Sequence, residues 1–169
     1  MVKRNACVFI SGEGSNLRNL LKRSRDYNFP VSIKLVISNN PKAKGVNFTK
    51  KYSIPYFIVN TKVRNFENII LAYLKRYRIN IICLAGYMRI ISKKFLRSFG
   101  KNVINIHPSL LPKFKGLNTF KRILEKKETK SGCTVHYVND KLDGGKVITQ
   151  KSFYLVSNYS ELDLKKKTQ

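Results

Sequence analysis

The chain has two histidines, His107 and His136, and the first stands where chemistry is possible. His107 closes a short apolar run directly before Pro108, two residues after Asn105. Residues two apart on a strand point to the same side, so this amide and imidazole can converge on one ligand atom. Such a pair suits acyl transfer. An imidazolium and an amide N–H can stabilise an oxyanion, and histidine moves protons near neutral pH. A structural histidine bonded to a backbone carbonyl is the alternative. A carboxylate brought close to His107 would stabilise its charged form. The chain has nine acidic residues, and few of them can reach a strand end. Asp143, in Leu142-Asp143-Gly144-Gly145, is the candidate, although an aspartate before two glycines also makes an ordinary turn.

Two further segments can meet a ligand. Ser11-Gly12-Glu13-Gly14-Ser15-Asn16 precedes a helical pattern. Gly12 and Gly14 permit tight backbone geometry, and the helix start offers unpaired N–H groups and a positive dipole end for phosphate. Ser15 and Asn16 can add side-chain donors. The competing reading is a glycine turn with a capped helix, and a short Gly-x-Gly segment is weak evidence alone. The second segment is Ala85-Gly86-Tyr87-Met88-Arg89.

These segments need elements to hold them. Short β-rich runs alternate with helical patterns, as in a Rossmann-like doubly wound α/β fold, a mostly parallel sheet with helices on both faces. The expected strands are Ala6–Ile10, Ile33–Ile37, Tyr56–Val59, Ile81–Ala85 and Val103–Ile106. Cys133–Val138 and Val147–Val156 are less clearly separated by helix and read as an antiparallel extension. One helix starts near Ser15, with Leu17, Leu20 and Leu21 inward. A second places Phe66, Ile69, Ile70, Tyr73, Leu74 and Tyr77 on one face at the 3.6-residue period. A third follows Gly116, with Leu117, Phe120, Ile123 and Leu124. In open α/β sheets ligands bind beyond the carboxyl ends of the strands, so one sheet edge would collect all three segments.

Composition narrows the class. The 169 residues suit a single domain over 1–169 that buries its core without metals or disulfides. No apolar run approaches the ~20 residues of a membrane helix, and no signal peptide opens the chain, so a cytoplasmic protein is expected. Cys7, Cys83 and Cys133 are widely spaced in apolar runs and read as buried thiols, with no metal-ligand spacing. The net charge of +25 invites a nucleic-acid reading. Yet the bases are scattered, and Asn and Ile are abundant at 16 each, so the charge reads as compositional drift. It still favours anionic ligands by steering.

Asn105-Ile106-His107-Pro108-Ser109-Leu110-Leu111-Pro112 resembles the signature of folate-dependent formyltransferases. Ser11-Gly12-x-Gly14-Ser15-Asn16 and Leu142-Asp143-Gly144-Gly145 narrow the likeness to phosphoribosylglycinamide formyltransferases, from about Ala6 to the end of the chain. The resemblance implies transfer of the formyl group of 10-formyltetrahydrofolate, a cosubstrate, to the amine of glycinamide ribonucleotide, with no metal. It implies Asn105, His107 and Asp143 as the catalytic trio, and Gly14, Ser15 and Asn16 on the substrate phosphate. The folate site would be lined by Met88, Arg89, Ile90 and Ile91, by Asn105, Asn139, Asp140, Lys141, Leu142 and Asp143, and by Arg64. The partners would be small molecules, with no specific nucleic acid and no membrane, in a monomer or weak homodimer.

Some positions depart from the pattern. Lys115 and Lys146 stand where proline is usual, and Phe120 where histidine is common. The pattern also continues past Lys167-Thr168-Gln169 with a Gln-Glu-His segment, a long helix and a final strand. The expectation is therefore a domain whose carboxyl-terminal part is missing. The competing functions are a methionyl-tRNA formyltransferase, a formyltetrahydrofolate hydrolase and a non-catalytic remnant that only binds ligand.

Overall fold

The computed structural model describes residues 3–156 and 158–169. The chain divides into two compact units, the first ending at Val103 and the second running from Ile104 to Gln169. The boundary falls inside a strand.

The first unit is built on β1 (Arg4–Ile10), β2 (Val31–Ser38), β3 (Tyr56–Ile58) and β4 (Ile81–Leu84). Strand β1 pairs in parallel with β2 and β4, and β2 with β3. Ala6, Cys7, Val8, Phe9 and Ile10 follow one another without exposed surface. An unbroken apolar strand of this kind must be covered on both faces. Ala6, Val8 and Ile10 pack with Leu17 and Leu21 of α1 (Ser15–Arg23) and with Ala43. Phe9 points the other way, to Phe95 of α4 (Lys93–Phe99), with ring centroids 6.4 Å apart. The remaining helices are α2 (Val46–Lys51), beside α1, and α3 (Phe66–Arg76), beside α4. Strand order supplies the reason for two layers. The chain steps from β1 to β2 to β3 in one direction and then to β4 on the other side of β1. Right-handed crossovers therefore place α1 and α2 on one face, and α3 and α4 on the other.

The second unit opens in β5 (Asn102–His107), which pairs antiparallel with β6 (Lys130–Tyr137); β6 pairs antiparallel with β7 (Val147–Tyr154). Helix α6 (Glu161–Thr168) lies against β6 and α5 (Thr119–Glu125), with Leu164 fully buried. Strand β7 is exposed along most of its length. The strand order is β3-β2-β1-β4-β5-β6-β7, a mostly parallel sheet with an antiparallel end.

Every expected strand is present with ends shifted by three residues or fewer. The helix expected after Gly116 begins at Thr119, so Leu117 lies outside it and is 69% exposed. Ile69 is likewise exposed, because α3 buries a narrower stripe centred on Ile70 and Leu74. The short helices α2, α4 and α6 were not anticipated.

Candidate active site

In the first unit, three strand-end loops meet at Ser11, which is 8% exposed. Its N–H donates to Gly86 O at 3.2 Å, and its Oγ accepts from Met88 N–H at 2.8 Å. The same hydroxyl donates to Asn39 Oδ1, while Asn40 Nδ2 donates to Ser11 O at 2.8 Å. One residue thus fixes the loops after β1, β2 and β4 relative to one another.

Gly14 stands at the head of α1 with φ 76°. A Cβ there would lie 2.5 Å from Gly45 Cα, so both its left-handed backbone and its surroundings require glycine. Gly12 differs: its φ is not left-handed, and a Cβ would meet nothing within 4 Å. The first turn of α1 holds no acidic side chain, and its last turn carries Lys22 and Arg23. Ser15 and Asn16 open the helix and are half-buried, while Glu13, just before the cap, is paired with Lys44 at 3.2 Å.

The loop after β4 turns through Gly86, φ 75°. Met88 and Ile90 are 65% and 80% exposed, Arg89 is exposed, and Ile91 is buried. The loop ends at Ser92, which caps α4 by accepting from Phe95 N–H at 3.0 Å. Glu67 of α3 accepts from both the Ser92 N–H, at 3.1 Å, and the Ser92 hydroxyl. Burial pushes the Tyr87 hydroxyl up to about 12, with Arg89 lowering it and Glu67 raising it. Arg64 is exposed in the turn before α3.

In the second unit, β5 ends on His107, and Asp143 comes to it from the β6–β7 connection. Asp143 Oδ2 lies 3.4 Å from His107 Nδ1 and accepts from Gly116 N–H at 2.8 Å. Oδ1 faces Asn105 Nδ2 at 3.5 Å and His136 Nε2 at 3.7 Å. The Asp143 side chain is 10% exposed and that of His107 7%. A buried carboxylate needs such partners. His107 Nε2 lies 2.8 Å from Phe114 O. Both ring nitrogens thus face acceptors, an arrangement that the doubly protonated imidazolium satisfies.

Asn105, His107 and Asp143 therefore come together, but not as a pair converging on an open ligand position. Asn105 and His107 both converge on Asp143, because a buried carboxylate is the strongest acceptor in their reach. The sequence reading also missed His136. It is 2% exposed and stands directly opposite Asn105 in the antiparallel ladder, with Nε2 3.2 Å from Asn105 Nδ2. Its Nδ1 lies 2.8 Å from Tyr137 O, which fixes the proton on Nδ1 and leaves Nε2 to accept from the Asn105 amide. The signal was the alternation of Thr134 and His136, both buried on one face of β6.

Asn139, Asp140, Lys141 and Leu142 form an exposed turn before Asp143. Asn139 Oδ1 accepts from Lys141 N–H at 3.0 Å, and Gly144 N–H donates to Lys141 O at 3.1 Å. A Cβ on Gly145 would sit 1.7 Å from Tyr137 O, so glycine is required where this turn re-enters the ladder. Cys7, Cys83 and Cys133 are all free thiols. Burial pushes Cys7 well up and Cys83 to about 11, as expected of inert core thiols.

Residues 4–169 match the formyl transferase family. Haemophilus influenzae phosphoribosylglycinamide formyltransferase is 39% identical over 153 residues, covering 87% of this chain and 71% of the relative. The human trifunctional purine biosynthetic protein adenosine-3 is 40% identical over 154 residues; the match covers 89% of this chain but 15% of that protein. The crystal structure of phosphoribosylglycinamide formyltransferase from Anaplasma phagocytophilum superposes with a TM-score of 0.89 at 38% identity, covering 96% of this chain and 78% of that one.

Proposed function

The chain belongs to the formyl transferase family, and from that premise we propose that it formylates the amine of glycinamide ribonucleotide with 10-formyltetrahydrofolate in purine biosynthesis. The observation that carries the reading is the Asp143 carboxylate, buried and held between Asn105, His107 and the Gly116 N–H.

When bound, the folate supplies the electrophilic formyl carbon. Asn105 and His107 donate to the oxygen that gains charge as the amine attacks. A developing oxyanion competes with Asp143 for these N–H groups, and the 3.5 Å contact of Asn105 is the first to yield. Asp143 orients the imidazole, and it takes up the proton that the amine must lose. His107 is then placed to return a proton to the departing folate nitrogen. Gly14, Ser15 and Asn16 hold the substrate phosphate at the head of α1. Met88, Arg89, Ile90, Ile91, Arg64 and Asn139–Asp143 contact the folate. In this reading the chain is a cytoplasmic enzyme that needs no metal and works as a monomer or weak homodimer.

The test is a formyl-transfer assay with both substrates. The parent chain should turn over, and His107→Ala should lose roughly a hundredfold or more of the rate. Near-parental turnover in a folded His107→Ala protein would defeat the mechanism.

A further inference from the structure

The turn that supports His107 and Asp143 is itself strained. Phe114, a bulky residue, has φ 56°, followed by Gly116 at 79° and Asn118 at 54°. A non-glycine aromatic in the left-handed region persists only where its surroundings impose it. Position 115 of the turn is a lysine, so no proline ring fixes that backbone. Yet it supplies the Phe114 carbonyl to His107 and the Gly116 N–H to Asp143.

One side chain clasps the turn from outside. Arg122, on α5, donates through Nη1 to Lys115 O at 2.6 Å and reaches Leu117 O at 3.4 Å. Its guanidinium lies over the Phe114 ring, 5.6 Å from the centroid. These contacts bracket the strained segment, and a planar fork suits such a role better than a lysine. Helix α5 is anchored in turn by buried Thr119 and Ile123.

We propose that Arg122 is a positioning residue that holds the 114–117 turn in the conformation that supports His107 and Asp143. The inference rests on the proposed formyl transfer for its effect on rate, but not for its effect on the turn.

Two measurements separate the two. Amide exchange at Gly116 reads the turn, and kcat and KM read the chemistry. Arg122→Ala should speed Gly116 exchange and lower kcat, each by about tenfold, while both KM values stay within about twofold. Arg122→Lys should fall between parent and alanine variant, since an ammonium can serve one carbonyl but not the stacked fork. Lys121→Ala, on the same helix and paired to Glu125 at 3.8 Å, should match the parent. Gly116 exchange and kcat unchanged in Arg122→Ala would overturn the proposal, as would an equal loss in Lys121→Ala. If exchange responds to Arg122 while the parent shows no formyl transfer, the bracing stands and the functional reading fails.

Discussion

At Asp143, three donors from two stretches of chain, the Asn105 amide, the His107 imidazole and the Gly116 N–H, surround one carboxylate, and function is most sensitive there. Because His107 and Asp143 act on the same proton, they should fail as a unit. Asp143→Asn should cost about as much as His107→Ala, roughly a hundredfold or more, and the double variant should be scarcely slower than the poorer single one. Rates that multiply in the double variant would show independent roles. Ser11 is the corresponding residue of the first unit. Ser11→Ala leaves Met88 N–H and Asn39 Oδ1 without their partner in a partly buried setting, which costs about 1 kcal/mol. The expected result is a lower melting temperature together with a higher KM for the folate donor. A variant that loses neither would show that the three loops are held by other contacts. The motif residues were legible one by one from the sequence. That Ser11 joins three loops was not, because its partners lie 28, 29 and 77 positions away.

Among the elements, α6 shows how little sequence signal a helix needs once a neighbour holds it. Only Leu164 of its eight residues is buried, so no apolar stripe announced it. A capping box starts it: Ser160 Oγ accepts from Asp163 N–H at 3.1 Å, and the Asp163 carboxylate accepts from the Ser160 N–H at 3.1 Å. The Ser160 hydroxyl, then its N–H, hold the Asp163 carboxyl below its ordinary 3.8. A lowered folded value means that this stabilisation is present above the unfolded value and is lost as pH falls through the folded one. Helix α6 should therefore fray below about pH 4, ahead of the α1 and α3 helices, and amide exchange along 161–168 would reveal it. Loss of α1 protection at the same pH would instead point to global unfolding. On the strand under α6, Ser131 is buried and its hydroxyl has no partner. Ser131→Ala should leave the melting temperature unchanged or raise it, because no hydrogen bond is lost and a desolvated hydroxyl is removed. A clear fall would mean that the hydroxyl is satisfied in solution.

Over the whole molecule the charge of +25 dominates. It should bring weak, sequence-indifferent retention on nucleic acid that disappears steeply between low and physiological salt. Tight binding to one tRNA at about 0.15 M salt would favour a methionyl-tRNA formyltransferase instead. Alkali should act through the core. Cys83 rises from 9.0 to about 11 on burial, so the folded state holds that proton more firmly than the unfolded chain. A raised folded value gives stability that is complete below 9.0 and is lost as pH climbs towards 11, on the order of 2 kcal/mol. Cys83→Ala should flatten the fall in melting temperature between pH 8.5 and 10.5, a comparison made with the parent under the same salt.

The sequence by itself determined what is local. An unbroken apolar run specified β1 as doubly covered, apolar spacing at the 3.6-residue period specified α3, and Gly14-Ser15-Asn16 marked the start of α1. The motif around His107 identified the family. Tertiary structure alone decided which groups those residues face. Antiparallel register sets His136 opposite Asn105, 31 positions away, and turns the Asn105 amide toward it and Asp143. Packing of α5 brings Arg122 over Phe114, a bulky residue whose left-handed φ of 56° its own propensity does not favour. The physical reason is the range of the forces involved. Periodicity records whether a residue faces the core, but a hydrogen-bond partner is set by register and helix placement, which only the folded chain defines.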